Sequence, residues 1–184
     1  GSPIAGDIKV DDDWKTLLVG TTGAGGKSVF GLNISDPKNF DADDVLWELS
    51  PANAASPNDL GYSIPKPSIA RTGSATWQVL IANGYGSVNG SAQLLRLNAN
   101  TGEVANTIDM EATGSNGLSS PAVVDKDGDG IADLAYAGDL KGNIWRINLA
   151  TNSKFKVFQA CDGTCATSNF QPITTKLEVR ANPG

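Results

Sequence analysis

Three stretches decide the fold because they repeat one pattern: WKTLLVGTTGAGGKSVFGLNISDP at Trp14–Pro37, WQVLIANGYGSVNGSAQLLRLNANTG at Trp77–Gly102, and IADLAYAGDLKGNIWRINLATN at Ile131–Asn152. Each contains an apolar strand that ends in small residues, a glycine-rich turn, and a second strand that ends in an aliphatic residue and Asn. Glycine clusters between short apolar runs are typical of strands joined by tight turns. The repetition therefore predicts an all-β fold made of similar hairpins.

Each repeat is flanked by two further short strands. The segments GYSIPKPSIAR and GLSSPAVVDKDGDG precede the second and third repeats, and VLWELS, EVANTIDME and KFKVFQA follow the three repeats in turn. Each unit then has four strands in up-and-down order, which is the arrangement of a β-propeller blade. The approximate units are 1–50, 61–111 and 117–159, and the segment QPITTKLEVR predicts that 160–184 start a further unit.

We interpret residues 1–184 as a single propeller-like domain, or a fragment of one, with about three four-stranded antiparallel blades. Propellers usually have four to eight blades. We therefore expect a partial or modified β-propeller, with the remaining blades supplied by the full-length protein. A β-sandwich of similar strands is the alternative, and the alignment of the repeats through their glycine turns favours the propeller.

The third unit carries an acidic run, DKDGDGIAD, between its first two strands. Calcium takes six to eight oxygen ligands, and carboxylates at alternate positions of a curled loop converge on one point. A glycine in the sixth position, Gly130, permits the sharp turn. The spacing predicts one calcium ion in an EF-hand-like loop within a hairpin. The expected ligands are the carboxylates of Asp125, Asp127, Asp129 and Asp133 and the backbone carbonyl of Ile131.

This loop departs from an EF-hand in two respects. Position twelve, where an EF-hand has a bidentate Glu, is Tyr136, and the flanking segments have the pattern of strands. Asp133 or Asp139 could supply the remaining carboxylate, and we favour Asp133. The alternative is a solvated acidic turn, in which four carboxylates would repel one another with only Lys126 opposing them. Magnesium is less suited because it demands a smaller octahedral shell.

The equivalent hairpin turns of the other two units lack this spacing. The first unit has Asp11-Asp12-Asp13, which is acidic but without alternation or glycine, and the second has Arg71-Thr72-Gly73-Ser74. We therefore expect a single metal site, and we interpret the first turn as a solvated one.

The composition disfavours several other classes of function. The formal net charge is -6 and the chain has no histidine. An acidic chain repels phosphate backbones, so we expect no nucleic-acid partner. The lack of histidine removes Ser-His-Asp and Cys-His catalysis. No apolar run reaches the roughly 18 residues that a membrane helix needs, so we expect no membrane span in this chain.

The two cysteines, Cys161 and Cys165, lie in the run CDGTC. Three intervening residues with a glycine can close a small disulfide loop in an oxidising compartment, and free thiols are the alternative. Metal binding by this pair alone is a weaker interpretation, since a soft-metal site needs further ligands.

Two long stretches resemble a known family. The run SSPAVVDKDGDGIADLAYAGDLKGNIWRINL, Ser119–Leu149, resembles the C-terminal propeller of PilY/PilC-type type IV pilus proteins. The run GDIKVDDDWKTLLVGTTGAGGKSVFGLNISDP, Gly6–Pro37, resembles that family's early blades. The resemblance implies a modified propeller whose calcium loop regulates pilus extension and retraction. It also implies an extracytoplasmic location, in the periplasm, at the outer membrane, or at the pilus tip and cell surface.

Our first functional hypothesis is a noncatalytic calcium-binding module of a type IV pilus biogenesis and adhesion protein, acting in twitching motility and in attachment to host or abiotic surfaces. Calcium would order the loop and present a surface to pilins or minor pilins. One alternative is a quinoprotein-like or glycan-acting propeller enzyme. The run Ala137–Trp145 resembles the inter-blade docking turn of quinoprotein propellers, but no cluster of acid, base and cofactor ligands accompanies it. The other alternative is a purely structural propeller that calcium stabilises.

Overall fold

A computed structural model describes residues 1–111, 114–165 and 169–180. The strands form three four-stranded sheets. The first sheet contains β1 (Ile4–Val10), β2 (Asp13–Thr21), β3 (Val29–Asn33) and β4 (Val45–Leu49). The second contains β5 (Ser68–Gly73), β6 (Thr76–Ala82), β7 (Gln93–Asn98) and β8 (Val104–Asp109). The third contains β9 (Ala122–Val124), β10 (Leu134–Gly138), β11 (Asn143–Asn148) and β12 (Lys154–Gln159).

Within each sheet the strands follow one another in chain order and pair antiparallel. Three short 3₁₀ helices lie in the connections, at Gly23–Gly25, Ala42–Asp44 and Pro57–Asp59. The described residues therefore form an all-β structure of three up-and-down blades, as the repeats predict. The sheets lie inside the units expected from the sequence.

The blades pack in series through two apolar clusters. One cluster joins the first and second sheets, and the other joins the second and third. The first strands of neighbouring blades, β1 with β5 and β5 with β9, are also in contact. A β-sandwich would place two sheets face to face around one core, whereas here the middle sheet is covered on both faces.

The middle position of the second blade explains its sequence. In β6, Val79 and Ile81 pack towards the first blade, while Leu80 and Ala82 pack towards the third. Burial on both faces requires a continuous apolar run rather than alternation. In the third blade, by contrast, Ala135 and Ala137 of β10 pack inward, and the larger residues of that strand are half-buried.

Two tryptophans fill the blade interfaces. Trp47 is 7% exposed and donates from Nε1 to the carbonyl of Ala99 at 3.0 Å. Trp145 is 5% exposed and donates from Nε1 to Asp139. Both are packing residues whose single polar atom is satisfied, as buried indoles require.

The end of the chain departs from expectation. Residues 171–180 form no strand, so the first strand predicted from QPITTKLEVR is absent from this described segment. Instead, Ile173 donates its N–H to the carbonyl of Asp139 at 3.0 Å and packs over Gly138. Its backbone N–H groups at Gln171 and Ile173 donate to carbonyls at the ends of third-blade strands, at Ala160 and Asp139, rather than to a partner strand. That residues 160–184 start a further unit stays a prediction.

Cys161 and Cys165 form a disulfide, which decides between the two alternatives that the CDGTC run allows. None of the helices in the described part of the chain is long and apolar enough to cross a membrane.

Candidate metal centre

The acidic loop spans residues 125–133 and joins β9 to β10. The strands close its base, because Val124 pairs with Leu134 and the N–H of Asp133 donates to the carbonyl of Val124 at 2.9 Å. The nine-residue loop is thus held between two paired strands. The flanks are strands and not helices, as predicted.

Local hydrogen bonds curl the loop. The two carboxylate oxygens of Asp125 accept from the N–H groups of Gly128 at 2.7 Å and Gly130 at 2.8 Å. Both glycines have positive φ angles, +80° and +81°. L side chains rarely adopt this backbone conformation, so the D-x-D-G-D-G spacing supplies glycine where the backbone turns.

The turn brings three carboxylates together. Asp125, Asp127 and Asp133 each present an oxygen to a group whose atoms all lie within 4.8 Å of one another. The first two side chains are exposed and the third is half-buried. Like charges at this separation repel, and a hard divalent cation that accepts oxygen ligands would remove the repulsion. The donor set therefore fits calcium.

The other two expected ligands are placed differently. Asp129 lies outside this group, and its Oδ1 accepts from the N–H of Ile131 at 2.7 Å. Ile131 is half-buried. The structure thus brings together three of the four expected carboxylates, and the complete ligand set stays a prediction.

The hydrogen bonds also affect ionisation. The pKa of Asp125 lies below its ordinary value of 3.8, chiefly because the backbone N–H of Gly130 donates to the carboxylate. Desolvation opposes this shift, and the N–H of Gly128 adds to it. The Asp125 carboxylate is therefore held in the charged form that a metal ligand requires.

The second blade contacts the loop directly, through a residue that the sequence did not single out as part of the site. The N–H of Ala132 donates to the carbonyl of Arg71 on β5 at 2.7 Å. The guanidinium of Arg71 donates to the carbonyls of Gly73 and Ser74 at 3.2 and 2.6 Å. A Cβ built on Gly130 would lie 3.9 Å from Nη1 of Arg71. No local sequence signal identifies this neighbour, since it comes from another blade.

Asp139, the rival candidate for the last ligand, belongs to a separate network. It is fully buried. Its Oδ2 accepts from Asn116, Asn143 and Trp145 at 3.1, 2.8 and 2.8 Å. Its Oδ1 accepts from the backbone of Lys141 and Asn143, at 2.9 Å each. These donors satisfy the carboxylate, so Asp139 is a structural residue of the turn between β10 and β11 and not a neighbour of Asp125.

The acidic turn of the first blade forms no such group within the described ranges. Asp11 and Asp12 form the turn between β1 and β2 with φ angles of +49° and +73°. Lys9 donates from Nζ to Asp12 at 2.8 Å. The carboxylates of this turn are paired with lysine or exposed to solvent, which agrees with a solvated turn.

Known proteins resemble this chain in sequence. The family model of the PilY1 β-propeller domain matches residues 1–176. The type IV pilus biogenesis factor PilY1 of Pseudomonas aeruginosa is 42% identical over 178 residues, which cover 93% of this chain and 15% of that protein. A PilY1 homolog of Xylella fastidiosa is 38% identical over 161 residues, covering 82% of this chain and 11% of that protein. The chain therefore spans a small part of these curated relatives.

A solved structure resembles it as well. The crystal structure of the P. aeruginosa PilY1 C-terminal domain superposes with a TM-score of 0.84 at 34% sequence identity. The superposition covers all of this chain and 41% of that one.

Proposed function

The chain belongs to the PilY1 β-propeller family, and from that premise we propose that it is a noncatalytic calcium-binding module of a type IV pilus biogenesis protein. Calcium binding regulates pilus extension and retraction in this proposal, and through them twitching motility and surface attachment. The observation that carries the calcium site is the convergence of Asp125, Asp127 and Asp133 within 4.8 Å.

The ion would act on the loop and on its neighbour. Asp125, Asp127 and Asp133 would hold it, with Asp129 and the carbonyl of Ile131 as the further expected ligands. A bound cation supplies positive charge that cancels the repulsion among the carboxylates. The loop is joined to the second blade through Ala132 and Arg71, so ordering the loop also steadies the surface around that contact.

The proposed setting is extracytoplasmic, with pilins or minor pilins as partners and the remaining blades in the full-length protein. The Cys161–Cys165 disulfide supports that location, because disulfides persist in oxidising compartments.

Isothermal titration tests the metal site. We expect calcium to bind the chain at one site and magnesium to bind much more weakly. Asp127→Asn is the sharpest variant, because Asp127 is exposed and the hydrogen bond that it accepts from the N–H of Asp129 is long, at 3.4 Å. We expect it to weaken calcium binding by tenfold or more. The matched control is Asp12→Asn in the acidic turn of the first blade, which should bind as the wild type does.

Twitching assays separate regulation from mere stabilisation. Bacteria that carry Asp127→Asn in the full-length protein should lose calcium-dependent control of twitching while keeping normal amounts of the protein. If the titration showed no heat of calcium binding, the site would be refuted. If bacteria whose loop cannot bind calcium still twitched normally, the purely structural alternative would be supported.

A further inference from the structure

A pair of tryptophans lies where the first strand of each of the first two blades turns into the second strand. Trp14, at the start of β2, is 62% exposed. Its ring meets that of Trp77 on β6 edge to face, with centroids 5.9 Å apart and planes at 72°. Single exposed apolar residues need no explanation. This ring differs because a second aromatic fixes its orientation and polar grooves border it.

The grooves have the size and lining of a ligand site. One groove, of about 470 Å³, lies beside both tryptophans and is also lined by Lys9, Asp12 and Arg71. A second, of about 310 Å³, borders Trp77 and is lined by the polar side chains of Asn98, Asn100 and Thr101. Small-molecule sites commonly enclose some 300–1,000 Å³ with a few polar groups around aromatic rings.

The charges in the larger groove balance. Lys9 pairs with Asp12 at 2.8 Å, and the guanidinium of Arg71 is held by the carbonyls of Gly73 and Ser74. With Asp11 also on the lining, the groove has as many acidic as basic side chains. Such a groove offers donors and acceptors for hydroxyl groups but no excess charge to select an anion or a cation.

We propose that the Trp14–Trp77 pair is a binding platform for neutral hexopyranose glycans. A pyranose ring has an apolar face of C–H groups, which packs on an exposed indole, and a rim of hydroxyl groups. An indole has a large apolar face of matching size. The carboxylates, amides and hydroxyl along the two grooves would hydrogen-bond the rim. This inference does not depend on calcium binding.

The test titrates cellohexaose and lacto-N-neotetraose, two neutral probes, into the whole chain, followed by tryptophan fluorescence and calorimetry. We expect saturable binding of at least one probe. Trp14→Ala should weaken that binding by about tenfold or more, because it removes the stacking surface. Since Trp14 is exposed, the variant should lose only the edge-to-face contact with Trp77, and its melting temperature should fall by no more than a few degrees.

The matched control is Phe155→Ala on β12, where an aromatic ring is 60% exposed without a tryptophan partner. It should leave glycan affinity unchanged. The proposal is overturned if neither neutral probe binds at millimolar concentration, if only an anionic heparin hexasaccharide binds, or if Trp14→Ala binds as tightly as the wild type. An equal loss in Phe155→Ala would overturn it as well.

Discussion

The acidic turn of the first blade and the acidic loop of the third blade occupy the same position, between the first and second strands of a blade. In the first blade, Asp11 and Asp12 form a two-residue turn, and Lys9 pairs with one of them. In the third blade, a nine-residue loop brings three of its four carboxylates towards one point. The comparison teaches that spacing, and not the number of acidic residues, determines whether the carboxylates converge.

The largest expected effect concerns a carboxylate outside both regions. Asp139→Ala should lower the free energy of unfolding by about 3–5 kcal/mol, because it leaves the buried donors of Asn116, Asn143 and Trp145 unsatisfied. Urea denaturation should show the same loss with calcium and with EDTA. A loss that appeared only with calcium would link Asp139 to the metal loop and would contradict its assignment to a separate hydrogen-bond network.

The next effect is that of calcium itself. At a free concentration of 100 times Kd, calcium should raise the free energy of unfolding by about 2.7 kcal/mol. Urea denaturation at fixed calcium measures this increment. The increment should fall to about 1.4 kcal/mol or less in Asp127→Asn, where calcium binds at least tenfold more weakly, and stay near 2.7 kcal/mol in Asp12→Asn. Equal increments in the two variants would contradict the contrast between loop and turn.

A smaller effect tests the backbone of the loop. Gly130→Ala should cost about 1–2 kcal/mol in EDTA, because φ is +81° and an L residue there is strained. The space is not limiting, since the nearest atom to an added Cβ is Nη1 of Arg71 at 3.9 Å. Gly25→Ala is the control, with no positive φ and no neighbour within 4 Å of its Cβ. Similar losses in both would refute the backbone explanation.

The pH dependence of stability should also reveal the Asp125 carboxylate of the loop. The pKa of Asp125 is lowered in the folded chain, mainly by the N–H of Gly130. A lowered pKa stabilises the fold above the unfolded value, near 3.8, and that contribution is lost as the pH falls through the folded value. In EDTA, the melting temperature of the wild type should therefore fall more steeply below about pH 4 than that of Asp125→Asn. Parallel profiles would contradict the shift.

The smallest effect is expected in the first blade. Asp12→Asn removes an ion pair with Lys9 in which the Asp12 side chain is 96% exposed. Exposed pairs contribute little and are screened by salt. The melting temperature should change by less than about 2 °C, with or without calcium. A clear calcium-dependent change in scanning calorimetry would show that the first turn also holds the ion.

The site could be predicted only in part. The run from Asp125 to Asp133 identifies the loop, its glycines and its strand flanks, because these depend on residues close together in the chain. Its spacing also places Asp129 in the ligand set; in the structure the Asp129 carboxylate lies outside the group of the other three, and the complete ligand set stays a prediction. All four carboxylates accept backbone N–H groups of the loop, and alternation by itself does not tell which of them lie close together.

The sequence by itself determined the strands, their grouping into three blades and the position of the acidic loop. Strand period, turn chemistry and repetition are local properties. Tertiary structure decided which residues meet across blades: the loop against Arg71, and Trp14 against Trp77. It also decided that residues 171–180 lie on the third blade without forming a strand. Such contacts join segments far apart in the chain, so they depend on how whole sheets pack and leave no periodic signal in the sequence.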